Sequence, residues 1–540
     1  MDNKFTNIPK EKFQFVQEGA KLHDKKFETK PIGFFKDALN RFSKNKSAVV
    51  AAWIVLFLVV FAIVGPYLFD ADYQAAYELD IDLKRYEKLP PKISFLDGTG
   101  VWDGSQVKEI TEAQYLKYIA RGQETGYNPI QEIIDEYTVT DTSGTKKMYT
   151  IRLDQYHNIP TFPKIYTLTE YQAIQQWQNE TGIQVILPWV DRYERNNEVD
   201  YIKNSPVRSS DINVWYASDD KGNPKFDHDG NLIPGYRTAN VGFDDKYDSI
   251  RLAGDPGNTD PTSEQRWKYA KANLSAATDT SLPESEWIFN YEVRINAYNY
   301  FVYKYGFEPS FVFGSTEKGY DLLTRLASGA RFSLLLALAV SAINLFIGAI
   351  YGAIEGYYGG TADLIMERIS DILASVPSMV VTVLFNLHLA KHVGIVVALL
   401  FAFVMTGWIG MASRTRMQFY RFKNQEYVLA ARTLGARDAR IMFKHIFPNS
   451  LGTIITGSIL SIPGVIFSET SLTYLGIINL DSPTRASVGA MLSAGQGDLS
   501  TFPHLVLFPS LFIGLLMVSF NLFGNGLRDA FNPSLRGSED

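Results

Sequence analysis

Cysteine is missing from all 540 residues, which excludes a disulfide framework, an iron–sulfur cluster and any thiolate metal site. A G-x-x-x-x-G-K-S/T loop is also missing, so the chain has no P-loop for nucleotide phosphates. The net charge of −6 is modest, and the basic residues sit beside apolar runs instead of forming one broad patch, which argues against a nucleic-acid partner. The mean hydropathy of −0.08 averages two unlike kinds of segment, because the apolar residues concentrate in a few uncharged stretches. Those stretches approach the roughly 20 residues that a helix needs to cross a hydrocarbon core.

The first of them, Ser47 to Phe69, contains no charge. Lys36, Arg41, Lys44 and Lys46 precede it and Asp70 and Asp72 follow it, so by the positive-inside rule it leaves the cytoplasm. It begins too far from the N-terminus, and runs too long, for a cleavable signal peptide. Before it, apolar residues at 34, 35, 38, 39 and 42 share one helical face, with Lys36 and Arg41 placed to reach head groups, as in a helix lying on the membrane. Residues 1–46 are therefore read as a cytoplasmic N-terminus and 47–69 as the first span.

From 70 to 312 the character changes to frequent charge, Tyr, Trp and Pro-Gly-Asp-Asn punctuation. Helical patterns at 113–119, 170–177 and 265–276 alternate with strand patterns at 148–153 and 183–190, which predicts an α+β extracellular domain. Five further apolar runs follow in 313–540, at 332–354, 372–389, 393–413, 454–468 and 505–524. The expected fold is thus an all-α polytopic membrane protein of six transmembrane helices, with a large extracellular α+β domain between the first and second spans and both termini cytoplasmic. Pro377, Pro463 and Pro509 lie in or near spans, where proline kinks a helix.

Between the fourth and fifth of the six runs lie Arg414, Arg416, Arg421, Lys423, Arg432, Arg437, Arg440 and Lys444 against only Glu426 and Asp438, which places that interval in the cytoplasm. Within it, Tyr427, Ala430, Ala431 and Leu434 share one helical face, Gly435 ends that helix, and a second helix is expected to run to Pro448. The Ala430-Ala431 pair, three residues, Gly435 and then Pro448 resemble the EAA loop of ABC-importer permeases. The acid that usually precedes the alanines is Leu429 here, with Glu426 nearby, and the aliphatic usually found before the proline is His445. Phe313 to Leu326 with Gly329 to Leu334, Gly356 to Gly360, Met366 to Leu373, Ser375 to Ser378, Gly524 to Pro533 and Lys44 to Val50 resemble the C-type oligopeptide/dipeptide branch. Where that branch has Gly-Arg-Asp, this chain has Gly319-Tyr320-Asp321.

The resemblance implies a MetI-like permease core and a non-catalytic subunit of a peptide importer in the bacterial cytoplasmic membrane. The implied partners are a homologous permease, two cytoplasmic ATPases that hydrolyse ATP, an extracellular substrate-binding lipoprotein, a peptide substrate and membrane lipid, with no cofactor on this chain. The loop 425–449 would dock the ATPase through Glu426, Tyr427, Ala430, Ala431, Leu434 and Gly435. Nickel chelates, glycans or another small solute are the alternative cargoes; a membrane-anchored sensor or binding protein is the alternative of another class, against which the loop speaks. An ectoenzyme lacks a recognisable nucleophile or metal constellation. No Asp, Glu, Lys or Arg falls inside the apolar runs; His388 and Glu469 sit near run ends, as substrate contacts or interfacial groups. Asp227-His228-Asp229-Gly230-Asn231 lacks the rest of a calcium loop and reads as a turn, while Asp219-Asp220 and Asp244-Asp245 read as solvated loop charge.

Overall fold

Asn45 divides two helices of opposite character: its side chain accepts a hydrogen bond from the Ala48 amide and so caps the apolar helix that it precedes. Before it, α1 (Phe34–Lys44) buries Ala38 and Phe42 against the far end of the chain, where Phe42 meets Phe523 edge-on at 5.7 Å, and leaves Lys36 and Leu39 exposed. After it, α2 (Lys46–Val64) carries no charge beyond its first residue and continues in a short turn to Tyr67. The structure, a computed structural model, describes residues 34–67, 86–141, 144–159, 162–187, 190–196, 199–206, 228, 236–238, 251–252, 290–482 and 485–531.

Among the described residues, the polar stretch after α2 contains three small sheets. In the first, β1 (Ser105–Thr111), β2 (Ile130–Asp141) and β3 (Gly144–Asp154) pair antiparallel in the order β1-β3-β2. The alternation along β3 turns Tyr149, Ile151 and Leu153 to one face, where α3 (Glu112–Thr125) covers them with Tyr115, Tyr118 and Ile119. Thr111 and Gln114 start α3 with a reciprocal capping box, and Gly126 closes it in the left-handed conformation. A second sheet joins β4 (Phe162–Thr167), β5 (Ile186–Leu187), β9 (Arg251–Leu252) and β10 (Asn290–Ile295), with β10 paired to each of the others. Its apolar cluster takes in Tyr171 and Ile174 from α4 (Leu168–Thr181) and Tyr298 and Phe301 from α5 (Ala297–Tyr305). The third sheet has β6 (Val190–Asn196) between β7 (Val199–Pro206) and β8 (Tyr236–Thr238). The expected patterns at 113–119, 148–153 and 170–177 fall inside these elements; the one at 265–276 lies outside the described residues.

This stretch is fastened to the helical remainder of the chain. The segments entering and leaving it run together, with Leu89 N–H donating to Ser315 Oγ at 2.7 Å and Ser315 N–H to Leu89 O at 3.0 Å. Lys88 pairs with Asp498 at 2.8 Å, and Gln106 donates to Thr501 O at 2.8 Å.

Five helices among the described residues are long and apolar enough to cross a membrane: α2 with its terminal turn, α6 (Leu322–Tyr358), α9 (Ile395–Phe422), α11 (Asp438–Tyr474) and α13 (His504–Phe531). The run at 372–389, expected as a span with Pro377 kinking it, is divided between α7 (Gly360–Ala374) and α8 (Ser378–His388), which are bent by 70° where Pro377 removes a backbone donor. The helices also outrun their apolar runs. α6 starts ten residues before Phe332 because Asp321 caps it, accepting from the Thr324 amide at 2.9 Å. Between α10 (Glu426–Thr433) and α13 lies the short helix α12 (Val488–Gly495), capped by Ser487. The second helix of the basic loop does not stop at Pro448: α11 passes through it by way of a π-helical turn at Ile441–Ile446, which leaves the proline near the start of the next α-helical segment.

Glycine decides how closely α6 and α9 approach. Gly348, Gly352 and Gly356 recur every fourth residue on α6, and a Cβ at each would stand 2.7, 2.1 and 2.7 Å from atoms of α9. The two backbones therefore touch along a stripe of small residues, the packing that lets membrane helices associate closely.

Candidate functional site

The basic loop is organised around Val428. This residue is fully buried in a cluster with Phe419, Ile441, Met442 and Ile446, so α10 is pinned by one face. The other face is open. Glu426, Ala430 and Leu434 are exposed, Leu434 to 87%, and Ala431 is half-buried. Tyr427 is 40% exposed, and its hydroxyl accepts from Asn449 Nδ2 at 3.3 Å, which turns it back toward α11. Partial burial raises the Tyr427 pKa above its ordinary value. Glu426, Tyr427, Ala430 and Ala431 thus share one short helix, with Leu434 at its C-cap and Gly435 just beyond, and the outward side presents a charge in the first turn and a large exposed leucine at the end.

Gly435 completes the geometry. Its φ of +80° lies in the left-handed region, where the Gly435 amide donates to Arg432 O at 3.0 Å and the Ala436 amide to Ala431 O at 3.1 Å. These bonds satisfy carbonyls that the end of α10 would otherwise leave unpaired. They also turn the chain so that Asp438 opens α11 against α6. There the Tyr357 hydroxyl donates to Asp438 Oδ1 at 2.6 Å, and the Arg432 guanidinium lies over the Tyr357 ring at 5.8 Å.

Behind this joint is an ion cluster that sequence reasoning missed. Arg416, expected only as a topological charge, grips Asp363 with two bonds of 2.6 and 2.8 Å and Glu367 with two of 3.1 and 3.2 Å, and Glu355 stands 3.5 Å away. Tyr420 also donates to Asp363, and Lys423 Nζ donates to Gly356 O at 3.0 Å. The signal was present as three acids, Glu355, Asp363 and Glu367, around the α6–α7 turn, facing a chain segment rich in arginine. A planar guanidinium serves such a set better than an ammonium can.

The remaining candidates are not brought into this site. His388 is exposed in the last turn of α8. Glu469 lies in α11 near its end at Tyr474 and is 1% exposed; Ser333 Oγ donates to one of its carboxylate oxygens at 2.6 Å and Ser487 Oγ to the other at 2.9 Å. Asp219, Asp220, Asp227, Asp229, Asp244 and Asp245 lie outside the described residues, and among the described residues no set of three His, Asp or Glu side chains is arranged to hold a metal ion.

Comparison with known proteins agrees with this arrangement. Residues 344–537 match the family described as binding-protein-dependent transport system inner membrane component. Residues 33–91 match the N-terminal TM domain of oligopeptide transport permease C. The oligopeptide transport system permease protein OppC of Bacillus subtilis (strain 168) is 43% identical over 42% of this chain and 72% of its own length. The dipeptide transport system permease protein DppC of the same strain is 40% identical over 42% of this chain and 69% of its own length. OppC of Haemophilus influenzae is 39% identical over 42% of this chain and 70% of its own. With both ends matched and the basic loop inside the longer match, the chain belongs to the binding-protein-dependent transport system inner membrane components, on the oligopeptide/dipeptide permease branch.

Proposed function

We propose that this chain is a permease subunit of an ATP-driven peptide importer, lining the translocation path together with a homologous permease. Peptide is the cargo named for the relatives above, and family membership supports the same class here. The observation that carries the coupling role is the open face of α10. Leu434, Ala430 and Glu426 project from a helix fixed by Val428, which is what a separate ATPase subunit requires of a docking surface. In this reading Glu426, Tyr427, Ala430, Ala431, Leu434 and Gly435 form the contact, and ATP is hydrolysed on partner chains.

The bent pair α7–α8 counts as one span, giving six; residues 1–46 and the basic loop are cytoplasmic, 47–69 is the first span, and 70–312 is an extracellular α+β domain preceding the permease core at 313–540. That domain stands over the outer mouth of the path, where a substrate-loaded lipoprotein would dock. The test is to copurify the tagged chain with its partners, reconstitute the complex in vesicles, and measure ATP hydrolysis with empty and peptide-loaded receptor. Stimulation by the peptide-loaded receptor is expected; a complex without ATPase subunits, or indifferent to every peptide pool, refutes the reading.

A further inference from the structure

Ten residues, Ile93 to Trp102, form a loop ahead of β1 that carries a single charge, Asp97, and that charge pairs with Lys92 Nζ at 3.4 Å. Three large apolar side chains project from it: Phe95 is 82% exposed, Val101 64% and Trp102 40%. Their exposure is held in place by the loop's own framework. The Ile93 amide donates to Trp102 O at 2.7 Å, Gly100 N–H donates to Asp103 Oδ2 at 2.8 Å, and Ser105 donates through its amide and hydroxyl to Asp103 Oδ1 at 3.0 and 2.6 Å. Trp102 itself adopts a φ of +54°, a left-handed conformation that a side chain disfavours and that the surrounding bonds enforce.

The position of the loop identifies what it meets. The Trp102 ring lies against Phe508 with centroids 6.1 Å apart and planes at 17°, and Phe508 stacks in turn on Phe313 at 4.2 Å. Phe508 belongs to the second turn of α13, whose exposed stripe continues downward through Leu507, Leu511, Leu515 and Val518. The loop therefore extends the apolar surface of a membrane-crossing helix at its end, the level where tryptophan gathers in membrane proteins. In water such a patch would be a liability; beside acyl chains and head groups it is an anchor.

We infer that the loop 93–102 is a lipid-binding wedge, which seats Phe95, Val101 and Trp102 in the outer leaflet beside α13 and so fixes the height and tilt of the polar domain over the path. The choice of leaflet rests on the topology proposed above; immersion in lipid does not.

The absence of cysteine allows a direct test. Phe95→Cys and Val101→Cys, and Thr145→Cys as an exposed reference on β3, are spin-labelled in the full complex with its partner subunits, in nanodiscs of phosphatidylcholine and phosphatidylglycerol. Collision with oxygen, which concentrates in lipid, is compared with collision with a water-soluble nickel chelate. An oxygen-to-nickel ratio severalfold above that of the reference at both loop positions is expected. A ratio equal to the reference means that the loop stands in water, and low accessibility to both reagents means that a receptor or partner permease covers it; either result overturns the inference. Labelling of the Thr145→Cys chain on intact cells by an impermeant thiol reagent reports the topology separately, so that a wrong leaflet is distinguished from a wrong wedge.

Discussion

Gly435 offers the sharpest perturbation, because the structure separates backbone strain from steric clash. A Cβ at this position would meet nothing within 4 Å, yet φ is +80°. Within this chain, therefore, the cost of substitution comes from the left-handed backbone, which costs an L-residue about 1–2 kcal/mol. Valine, branched at Cβ, belongs at the top of that range, and asparagine, which visits this conformation readily, at the bottom. If the turn relaxes, the amide bonds to Arg432 O and Ala431 O are lost and α10 no longer ends where Leu434 projects. A change of one or two kcal/mol alters the ratio of correctly to incorrectly turned loops by a factor of about 5–30. The expected order of receptor-stimulated uptake in vesicles is Gly435 close to Gly435→Asn, then Gly435→Ala, then Gly435→Val, with the chain itself still inserted and stable. Full activity of the valine variant would show that the turn is dispensable. An asparagine variant as poor as valine would show that space, not φ, limits the position, against the open surroundings seen here.

Ala431→Asp places a charge on the half-buried flank of α10; copurification of the ATPases is expected to fall, while chain stability drops by about 1 kcal/mol, the centre of the range for point substitutions. Gly352→Val drives its side chain into Ala412 O, 2.1 Å from the site of its Cβ, and is expected to cost about 1–3 kcal/mol or more and to lower the melting temperature in detergent, whereas Gly410→Ala, with open space around it, serves as the neutral control. At the N-cap of α6, burial pushes the Asp321 carboxyl up to about 6 from an ordinary 3.8, so the folded chain binds that proton more tightly than the unfolded chain does. Stability from this group is therefore greatest below pH 4 and is lost as pH rises toward 6, by at most about 3 kcal/mol; Asp321→Asn keeps the cap and should flatten the thermal stability measured between pH 4 and 7 relative to the parent, and parallel profiles would refute the assignment.

Much of the membrane architecture was legible because hydrocarbon admits only uncharged runs of sufficient length, and such runs stand out in a sequence. Their ends were less legible, since a helix stops at a cap and not where hydropathy falls. Asp321 begins α6 well outside its apolar run, and Glu469, near a run end by hydropathy, lies within a helix that continues to Tyr474. The loop face at Tyr427, Ala430, Ala431 and Leu434 was readable from a spacing of three and four residues on a helix. Its anchor was not: Val428 is one apolar residue among several, and only the packing of α9 and α11 makes it the buried one. The same holds for Arg416. Eight basic residues in one interval read as topology, and which of them meets Asp363 depends on the approach of α7 to α9 in space. The Gly348, Gly352 and Gly356 series is visible as a repeat of four but is masked by the louder hydropathy signal.

These features together suggest how movement at α10 reaches the path. The helix is not a free lever, because Val428 buries it among residues of α9 and α11, and Asp438, just beyond its terminal glycine, is bonded to Tyr357 at the end of α6. α6 in turn cannot slide over α9 without opening the contacts at Gly348, Gly352 and Gly356, where the backbones already touch. A push on the open face of α10 is therefore borne by α6, α9 and the start of α11 as a unit. Arg416 brings α7 into that unit through Asp363 and Glu367. The tie ends at the 70° bend before Ser378, and beyond it α8 has no share in the ion cluster. The bend is thus the place where a displaced unit can change its angle to the rest of the helical core, and proline, lacking the amide that would stiffen the junction, suits that place physically.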